Sequence, residues 1–177
     1  EMSASLVGSE MCIRDRLALE PLIHGGESTT IYRSGTPTVA LAASLETALE
    51  AAVGELPART ARVKEANAFL RDALSRYPKV HINSPENAIP HILNLSVENV
   101  KGTVFQRELD AEGVCVSVKS ACSSDGLPSR AVFAVSRDRR NALSSWRISL
   151  SHLTTQEELD GFLHAFDACY TRLTRPQ

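Results

Sequence analysis

Residues 144–150 read Ser-Ser-Trp-Arg-Ile-Ser-Leu, and their apolar and polar side chains alternate with a period of two. This period is typical of a β-strand with one face turned to a core. Trp146 and Ile148 are predicted to face one way and Arg147 the other. Residues 91–97, His-Ile-Leu-Asn-Leu-Ser-Val, place apolar residues among polar neighbours in a similar way. We therefore expect a second strand there.

The sequence around these two strands predicts helices. Residues 39–53 are rich in Ala and Leu and predict a buried helix, with Pro37 setting its first turn. Gly54 and Pro57 separate it from a second helix, which Pro78 ends. The apolar face of that second helix is expected to hold Val63, Ala66, Phe69, Leu70, Ala73 and Leu74.

Further elements complete the predicted fold. Helices are expected over about 103–111 and 129–135, and a capping box of Thr154 and Glu157 predicts a last helix to about residue 173. Short strands are expected at 80–83 and 114–118, and residues 17–23 read as an edge strand or an extended segment. Four or five short strands with several helices predict an α+β fold, one sheet covered by helices.

Composition excludes several function classes. The chain has 177 residues, 43% of them hydrophobic and 23% charged, which predicts one folded domain. The 19 basic and 21 acidic residues give a net charge of −2, so no nucleic-acid partner is expected. No apolar run approaches the roughly 20 residues of a membrane span. No signal sequence is visible, and four scattered cysteines without a CxxC pair predict a cytoplasmic protein with no metal site.

The first sixteen residues differ from the rest. Residues 5–16, Ser-Leu-Val-Gly-Ser-Glu-Met-Cys-Ile-Arg-Asp-Arg, resemble a translated sequencing-adapter read and fit neither a helical stripe nor a strand alternation. We therefore expect residues 1–16 to be a non-native tail and the upstream part of the natural protein to be missing. A natural disordered tail is the alternative.

Cys122 is the candidate nucleophile. It lies in Ser-Ala-Cys-Ser-Ser-Asp-Gly, residues 120–126, a run of small and turn-forming residues that predicts an exposed loop. Lys119 would favour the thiolate electrostatically. Cys169, between Phe166 and Tyr170, is expected to be buried on a helix, and Cys115 to lie in the strand at 114–118. The alternative for Cys122 is an unreactive loop cysteine.

Two other segments carry candidate binding residues. Residues 32–37, Tyr-Arg-Ser-Gly-Thr-Pro, place hydroxyls just before a predicted helix, where an anion can bind, although Thr36 could simply be the N-cap. Arg147, fixed on a strand, is positioned to bind a carboxylate through two parallel hydrogen bonds. A surface ion pair is the alternative for Arg147.

These segments together resemble the group I (NifS/IscS-like) cysteine desulfurases. The resemblance rests on His-Gly-Gly (24–26), Arg-Ser-Gly-Thr (33–36), His-Ile-Leu-Asn-Leu-Ser (91–96), Ser-Ala-Cys-Ser-Ser (120–124), Trp-Arg-Ile-Ser-Leu (146–150) and Thr-Thr-Gln-Glu-Glu-Leu-Asp (154–160). It covers nearly all of residues 17–173. It implies the small C-terminal domain of a fold type I enzyme that uses pyridoxal 5'-phosphate (PLP), with a short, mostly antiparallel sheet.

The resemblance also implies roles. Cys122 would attack the sulfur of substrate L-cysteine held by PLP, leaving L-alanine and a persulfide on Cys122. Arg147 would bind the substrate carboxylate, and Thr36 the PLP phosphate of the neighbouring subunit in a homodimer. The persulfide sulfur would pass to an acceptor such as an iron–sulfur scaffold or a tRNA-thiolation protein.

The lysines limit what this chain is expected to do alone. In the family the Schiff-base lysine follows a histidine in the large domain, and none of Lys64, Lys79, Lys101 and Lys119 follows a histidine. Residues 17–177 are thus expected to be the C-terminal part of a desulfurase that lacks its large PLP-lysine domain and is inactive by itself. The alternatives are a sulfur-carrier or interaction module and a non-catalytic structural domain.

Overall fold

The computed structural model describes residues 20–21, 23–26, 33–119 and 127–175. The chain divides into two compact units, Glu1–Ala52 and Val53–Gln177. In chain order the elements are α1 (Val39–Ser75), β1 (Val80–Ile82), β2 (Ile92–Val97), α2 (Gly102–Ala111), α3 (Arg130–Ser136), α4 (Arg139–Ser144), β3 (Ser145–Ser149) and α5 (Gln156–Thr174).

The described strands form one antiparallel sheet in the order β1-β2-β3. Val80 pairs with Val97 across β1 and β2, and Asn94 pairs with Arg147 across β2 and β3. The α+β fold and the antiparallel sheet are therefore confirmed, together with both strands that the alternating patterns predicted.

The core of the second unit lies on one face of this sheet. Trp146 is fully buried and stacks on Phe105 of α2 with ring centroids 5.1 Å apart, and Ile148 is buried beside it. Phe166 of α5 packs against Phe105 at 5.2 Å. The predicted inward face of β3 is confirmed, and Arg147 is left on the opposite face of the sheet.

Helix α1 differs from the sequence prediction in its length and in its first turn. It is one helix of 37 residues with Pro57 inside it, not two helices separated at Gly54 and Pro57. Proline removes only one backbone hydrogen bond, and the Ala-, Leu-, Glu- and Arg-rich sequence on both sides has high helix propensity. The helix begins at Val39, and the Thr38 carbonyl accepts the N–H groups of residues 41 and 42, so Pro37 precedes the first turn.

The first half of α1 is also not buried as predicted. Leu41 and Leu45 are each 68% exposed and Leu49 is 58% exposed. Helix propensity comes from the local sequence, whereas burial requires a partner from elsewhere. In the second half, Val63, Ala66, Leu70 and Leu74 are buried as expected, but Phe69 is 37% exposed.

The predicted strand at 114–118 is wrong. Among the described residues it reduces to one pair, in which Ser117 and Arg147 exchange backbone hydrogen bonds of 3.1 and 2.7 Å. The preceding chain is held by α2 instead, because the Val114 N–H donates to the Leu109 carbonyl and the Gln106 side chain donates to the Val116 carbonyl at 2.9 Å.

The remaining helices differ from the predictions only in detail. The capping box of α5 is Thr155 with Glu158, one residue later than expected; Thr154 instead accepts a hydrogen bond from the Ser151 N–H. Helices α2 and α3 lie where they were predicted. Helix α4 was missed, although its N-cap Asp138 was a readable signal.

Little of the predicted segment at 17–23 lies within the described residues. Ile23 forms an isolated parallel bridge with Arg33. No helix in the described part of the chain is long and apolar enough to cross a membrane.

Candidate functional site

A cleft of about 840 Å³ lies on the face of the sheet opposite the core. Its floor comes from β2 and β3 through Asn94 and Arg147. One wall comes from the turn after β1, at Asn83 and Ser84, and the other from the start of α3. The polar positions of the alternating strands therefore become the lining of a cavity.

Arg147 is the chemically distinctive residue of this cleft. Strand β3 fixes its backbone by pairing with Asn94 on one side and Ser117 on the other. Its Nε is buried and has no hydrogen-bond partner in the described part of the chain. An unsatisfied buried donor is costly, so this guanidinium is suited to receive an acceptor from outside the described residues.

The charges around the cleft favour an anion. Lys119, Arg130 and Arg147 line it, and the described lining contains no Asp or Glu. A carboxylate with two acceptor oxygens matches an arginine in both charge and geometry. The alternative interpretation of Arg147 was a surface ion pair. None of the ion pairs among the described residues includes Arg147.

A second arginine holds the wall of the cleft in place. Arg71 on α1 donates from Nε to Asn67 Oδ1 at 2.7 Å and from its terminal nitrogen to the carbonyls of Ser84 and Pro85 at 2.9 and 3.1 Å. Asn67 in turn donates to the Pro90 carbonyl at 2.9 Å. These hydrogen bonds hold the turn between β1 and β2 against helix α1.

Cys122 lies outside the described residues. The described residues that flank its segment on the two sides, Lys119 and Leu127, both line the cleft that contains Arg147.

The two cysteines that the structure describes differ from each other. Cys169 is fully buried on α5, as expected, and burial raises the pKa of its thiol. Cys115 is exposed and lies outside any regular strand, so the expectation that it sits in a strand is wrong. Neither residue lines the cleft.

Thr36 lies in the first unit, Glu1–Ala52, which also contains the His-Gly-Gly motif at 24–26. The Ser34 N–H donates to the Ile23 carbonyl and the Ser34 hydroxyl donates to the Gly26 carbonyl, both at 3.0 Å. A Cβ on Gly25 would come within 2.9 Å of the Ser34 Cβ, so the two segments touch. Thr36 itself is exposed, and it is not the N-cap because α1 begins at Val39.

The described residues do not by themselves fit a PLP site. The Lys79 ammonium donates to the Thr174 carbonyl at 2.9 Å, and Lys64 and Lys101 are exposed on α1 and before α2. The described lining of the cleft also offers no carboxylate for a pyridinium nitrogen. The described lining of the cleft therefore lacks the groups that would hold the cofactor ring, and its cations favour a smaller anion.

Sequence reasoning missed Asn83 and Asn94, which line the cleft with Arg147, and Asn141, which is hydrogen-bonded to Asn83. The Asn83 amide donates to Asn94 Oδ1 at 2.9 Å, and the Asn141 amide donates to Asn83 Oδ1 at 2.7 Å. Asn94 carried a usable signal, because it is the polar residue within the apolar run 92–95. Asn83 and Asn141 had none, since they meet only through the fold.

The sequence matches the aminotransferase class-V family over residues 1–162. It is 35% identical over 164 residues to cysteine desulfurase IscS of Dictyoglomus turgidum, covering 91% of this chain and 42% of that protein. Over 149 residues it is 34% identical to cysteine desulfurase IscS of Pseudomonas putida, covering 83% of this chain and 36% of that protein.

Solved structures show the same likeness. A NifS-like protein from Rickettsia africae superposes with a TM-score of 0.71 at 26% identity, covering 88% of this chain and 41% of that one. Another NifS-like protein gives 0.70 at 31% identity, with coverages of 91% and 40%. The chain spans about two fifths of the length of these relatives, and it belongs to the aminotransferase class-V family, with cysteine desulfurases among its relatives.

Proposed function

We propose that this chain is the C-terminal part of a cysteine desulfurase and supplies its substrate-carboxylate site and its sulfur-accepting thiol. The observation that carries the proposal is Arg147, which lines a cleft that favours an anion and whose buried Nε has no hydrogen-bond partner among the described residues. The two flanks of the Cys122 segment line the same cleft, and the chain is similar to proteins named cysteine desulfurase.

In the proposed reaction, L-cysteine and the Cys122 thiol give L-alanine and a persulfide on Cys122. The substrate C–S bond breaks and an S–S bond to Cys122 forms. The proton balance closes, since the thiol proton of Cys122 is replaced by the sulfur and the substrate carbon gains a proton. Arg147 orients the substrate by binding its carboxylate through two parallel hydrogen bonds.

Membership of the aminotransferase class-V family implies dependence on PLP. We place the cofactor-binding lysine in a large domain that is not part of residues 17–177, because none of Lys64, Lys79, Lys101 and Lys119 follows a histidine as the family's Schiff-base lysine does. PLP when bound supplies an electron sink at the substrate carbon. Thr36, exposed beside the Arg33–Ser34 segment, is the proposed donor to the PLP phosphate of the neighbouring subunit in a homodimer.

The persulfide is the product that leaves this site. We propose transfer of its sulfur to an acceptor protein in the cytoplasm, such as an iron–sulfur scaffold or a tRNA-thiolation protein. The small and turn-forming residues around Cys122 predict an exposed loop, which suits both steps, because the thiolate is the reactive form and the sulfur must reach a second protein.

The deciding experiment uses the full-length enzyme that carries this sequence. After incubation with L-cysteine, mass spectrometry should find the extra sulfur on Cys122, with an equal amount of alanine. Cys122→Ser should abolish both and leave the PLP absorbance unchanged, because the hydroxyl is a far weaker nucleophile toward sulfur. Cys115→Ser, an exposed thiol outside the cleft, is the matched control and should behave as wild type. A persulfide on Cys115 or Cys169 with activity retained in Cys122→Ser would show that Cys122 is not the nucleophile.

A further inference from the structure

Four polar side chains beside the cleft are hydrogen-bonded in one consistent direction. The Ser96 hydroxyl donates to Asn141 Oδ1, and the Asn141 amide donates to Asn83 Oδ1 at 2.7 Å. Asn83 Nδ2 lies 3.4 Å from Ser96 Oγ and closes a ring of three residues. The same Nδ2 donates its other hydrogen to Asn94 Oδ1 at 2.9 Å. The His81 carbonyl, at 3.5 Å, competes only weakly for the Ser96 hydroxyl.

The orientation of the Asn94 amide follows from its contact with Asn83. In this structure Asn83 accepts from Asn141 through Oδ1 and turns its Nδ2 toward Asn94. A flipped Asn94 would set its own NH2 against that of Asn83, donor against donor. Asn94 therefore turns Oδ1 to Asn83 and presents Nδ2 elsewhere, and within the described part of the chain that Nδ2 meets no acceptor.

Asn94 stands directly opposite Arg147. The two residues pair across β2 and β3, so their Cβ atoms share one face of the sheet at about 4.5–5.5 Å. Both line the cleft, and Arg147 Nε is buried with no acceptor among the described residues. Asn94 and Arg147 thus share one face of the sheet in a cleft lined by cations, which suits a ligand with two neighbouring anionic oxygens.

We propose that Asn94 is the second donor to the substrate carboxylate, held in position by the ring of Ser96, Asn141 and Asn83. This inference rests on the proposed function, because it takes the ligand of Arg147 to be the α-carboxylate of an amino acid. It also gives the site a means of selection. A carboxamide would set its own NH2 against one of the two donors, so the site prefers the acid to the amide.

The test is a titration of the 15N-labelled 177-residue chain followed by NMR. L-alanine is the probe, since it carries the carboxylate without a reactive sulfur, and L-alaninamide is the control ligand. The Arg147 Nε–H and Asn94 Nδ2–H2 signals should shift together with one common Kd on adding alanine, and neither should move with alaninamide. This comparison needs no variant.

Variants then separate the donor from its support. Asn94→Ala should weaken alanine binding roughly 10- to 150-fold, the loss of one hydrogen bond to a charged group. Asn141→Ala should broaden or move the Asn94 signal before any ligand is added, which a purely local defect in α4 would not do. Asn87→Ala, at an exposed asparagine outside the cleft, should match wild type.

The outcomes separate the two proposals. In one outcome, the Arg147 signal shifts to saturation, the Asn94 signal does not shift, and Asn94→Ala binds alanine with the wild-type Kd. Asn94 is then not a donor, and Arg147 is still supported as the carboxylate site. If neither signal responds to alanine, the carboxylate site fails and the role of Asn94 fails with it.

Discussion

At the scale of single residues, Arg147 is the side chain that we propose binds the substrate carboxylate. In the full-length enzyme, Arg147→Ala removes a charge-assisted contact worth about 1.5–3 kcal/mol, so kcat/KM for L-cysteine should fall about 10- to 150-fold. Steady-state kinetics measure this directly. Arg139→Ala is the matched control, because Arg139 is exposed at the start of α4 and does not line the cleft. Unchanged kinetics in Arg147→Ala would remove Arg147 from the site.

Tyr77 makes stability depend on alkaline pH. Burial and the hydrogen bond from its hydroxyl to Asp167 at 3.0 Å raise the pKa of Tyr77 to about 12 from 10.0. The folded state therefore holds this proton after the unfolded chain has released it. The stability that Tyr77 contributes is complete below pH 10 and is lost as the pH rises from 10 toward 12.

Tyr77→Phe isolates that contribution. It should lower the free energy of unfolding by about 1 kcal/mol at pH 8, through the lost hydrogen bond, and by less at pH 11. Urea denaturation of both proteins at the two pH values gives the comparison. A difference between wild type and Tyr77→Phe that grows toward pH 11 would reverse the sign and refute the assignment.

At the scale of elements, helix α2 packs closely against strand β3 at a glycine. Gly102 is buried, and a Cβ there would lie 2.4 Å from the Ser145 carbonyl oxygen. Gly102→Ala must push apart the helix and the strand that carries Arg147, so we expect a loss of about 1–3 kcal/mol in stability. The Arg147 signals should shift in an NMR spectrum.

Gly161 in α5 is the control for that substitution. A Cβ on Gly161 meets nothing within 4 Å, and the residue is exposed within a long helix. Gly161→Ala should therefore raise stability by about 0.5–1 kcal/mol through helix propensity. Thermal unfolding of both variants tests the pair, and a loss of stability in both would mean that packing at Gly102 is not the cause.

At the scale of the whole molecule, the 177-residue chain should not desulfurate cysteine by itself. Lys79 is engaged with the Thr174 carbonyl and the described cleft has no partner for a pyridinium nitrogen, so added PLP has no complete site. Mixed with PLP and L-cysteine, the chain should yield alanine no faster than PLP alone. Alanine analysis by chromatography decides this, and sustained turnover would contradict the assignment of the lysine to another domain.

The sequence by itself determined the features that arise from neighbouring residues. The alternation in 146–150 and the apolar run in 92–97 predict β3 and β2 because a strand repeats every two residues, and the motif order identifies the family. Helix α1 forms wherever its propensities are high, even through Pro57.

Only the tertiary structure decided burial and the site. Leu45 and Leu49 read as core residues but are exposed, because burial depends on what packs against a helix. The strand predicted at 114–118 gave way to hydrogen bonds from α2, which compete for the same backbone groups. Asn83, Asn94, Asn141 and Arg147 come from four separate segments, and pairwise hydrogen bonds and strand register bring them together. Such contacts join residues up to 58 positions apart, and no local pattern in the sequence records them.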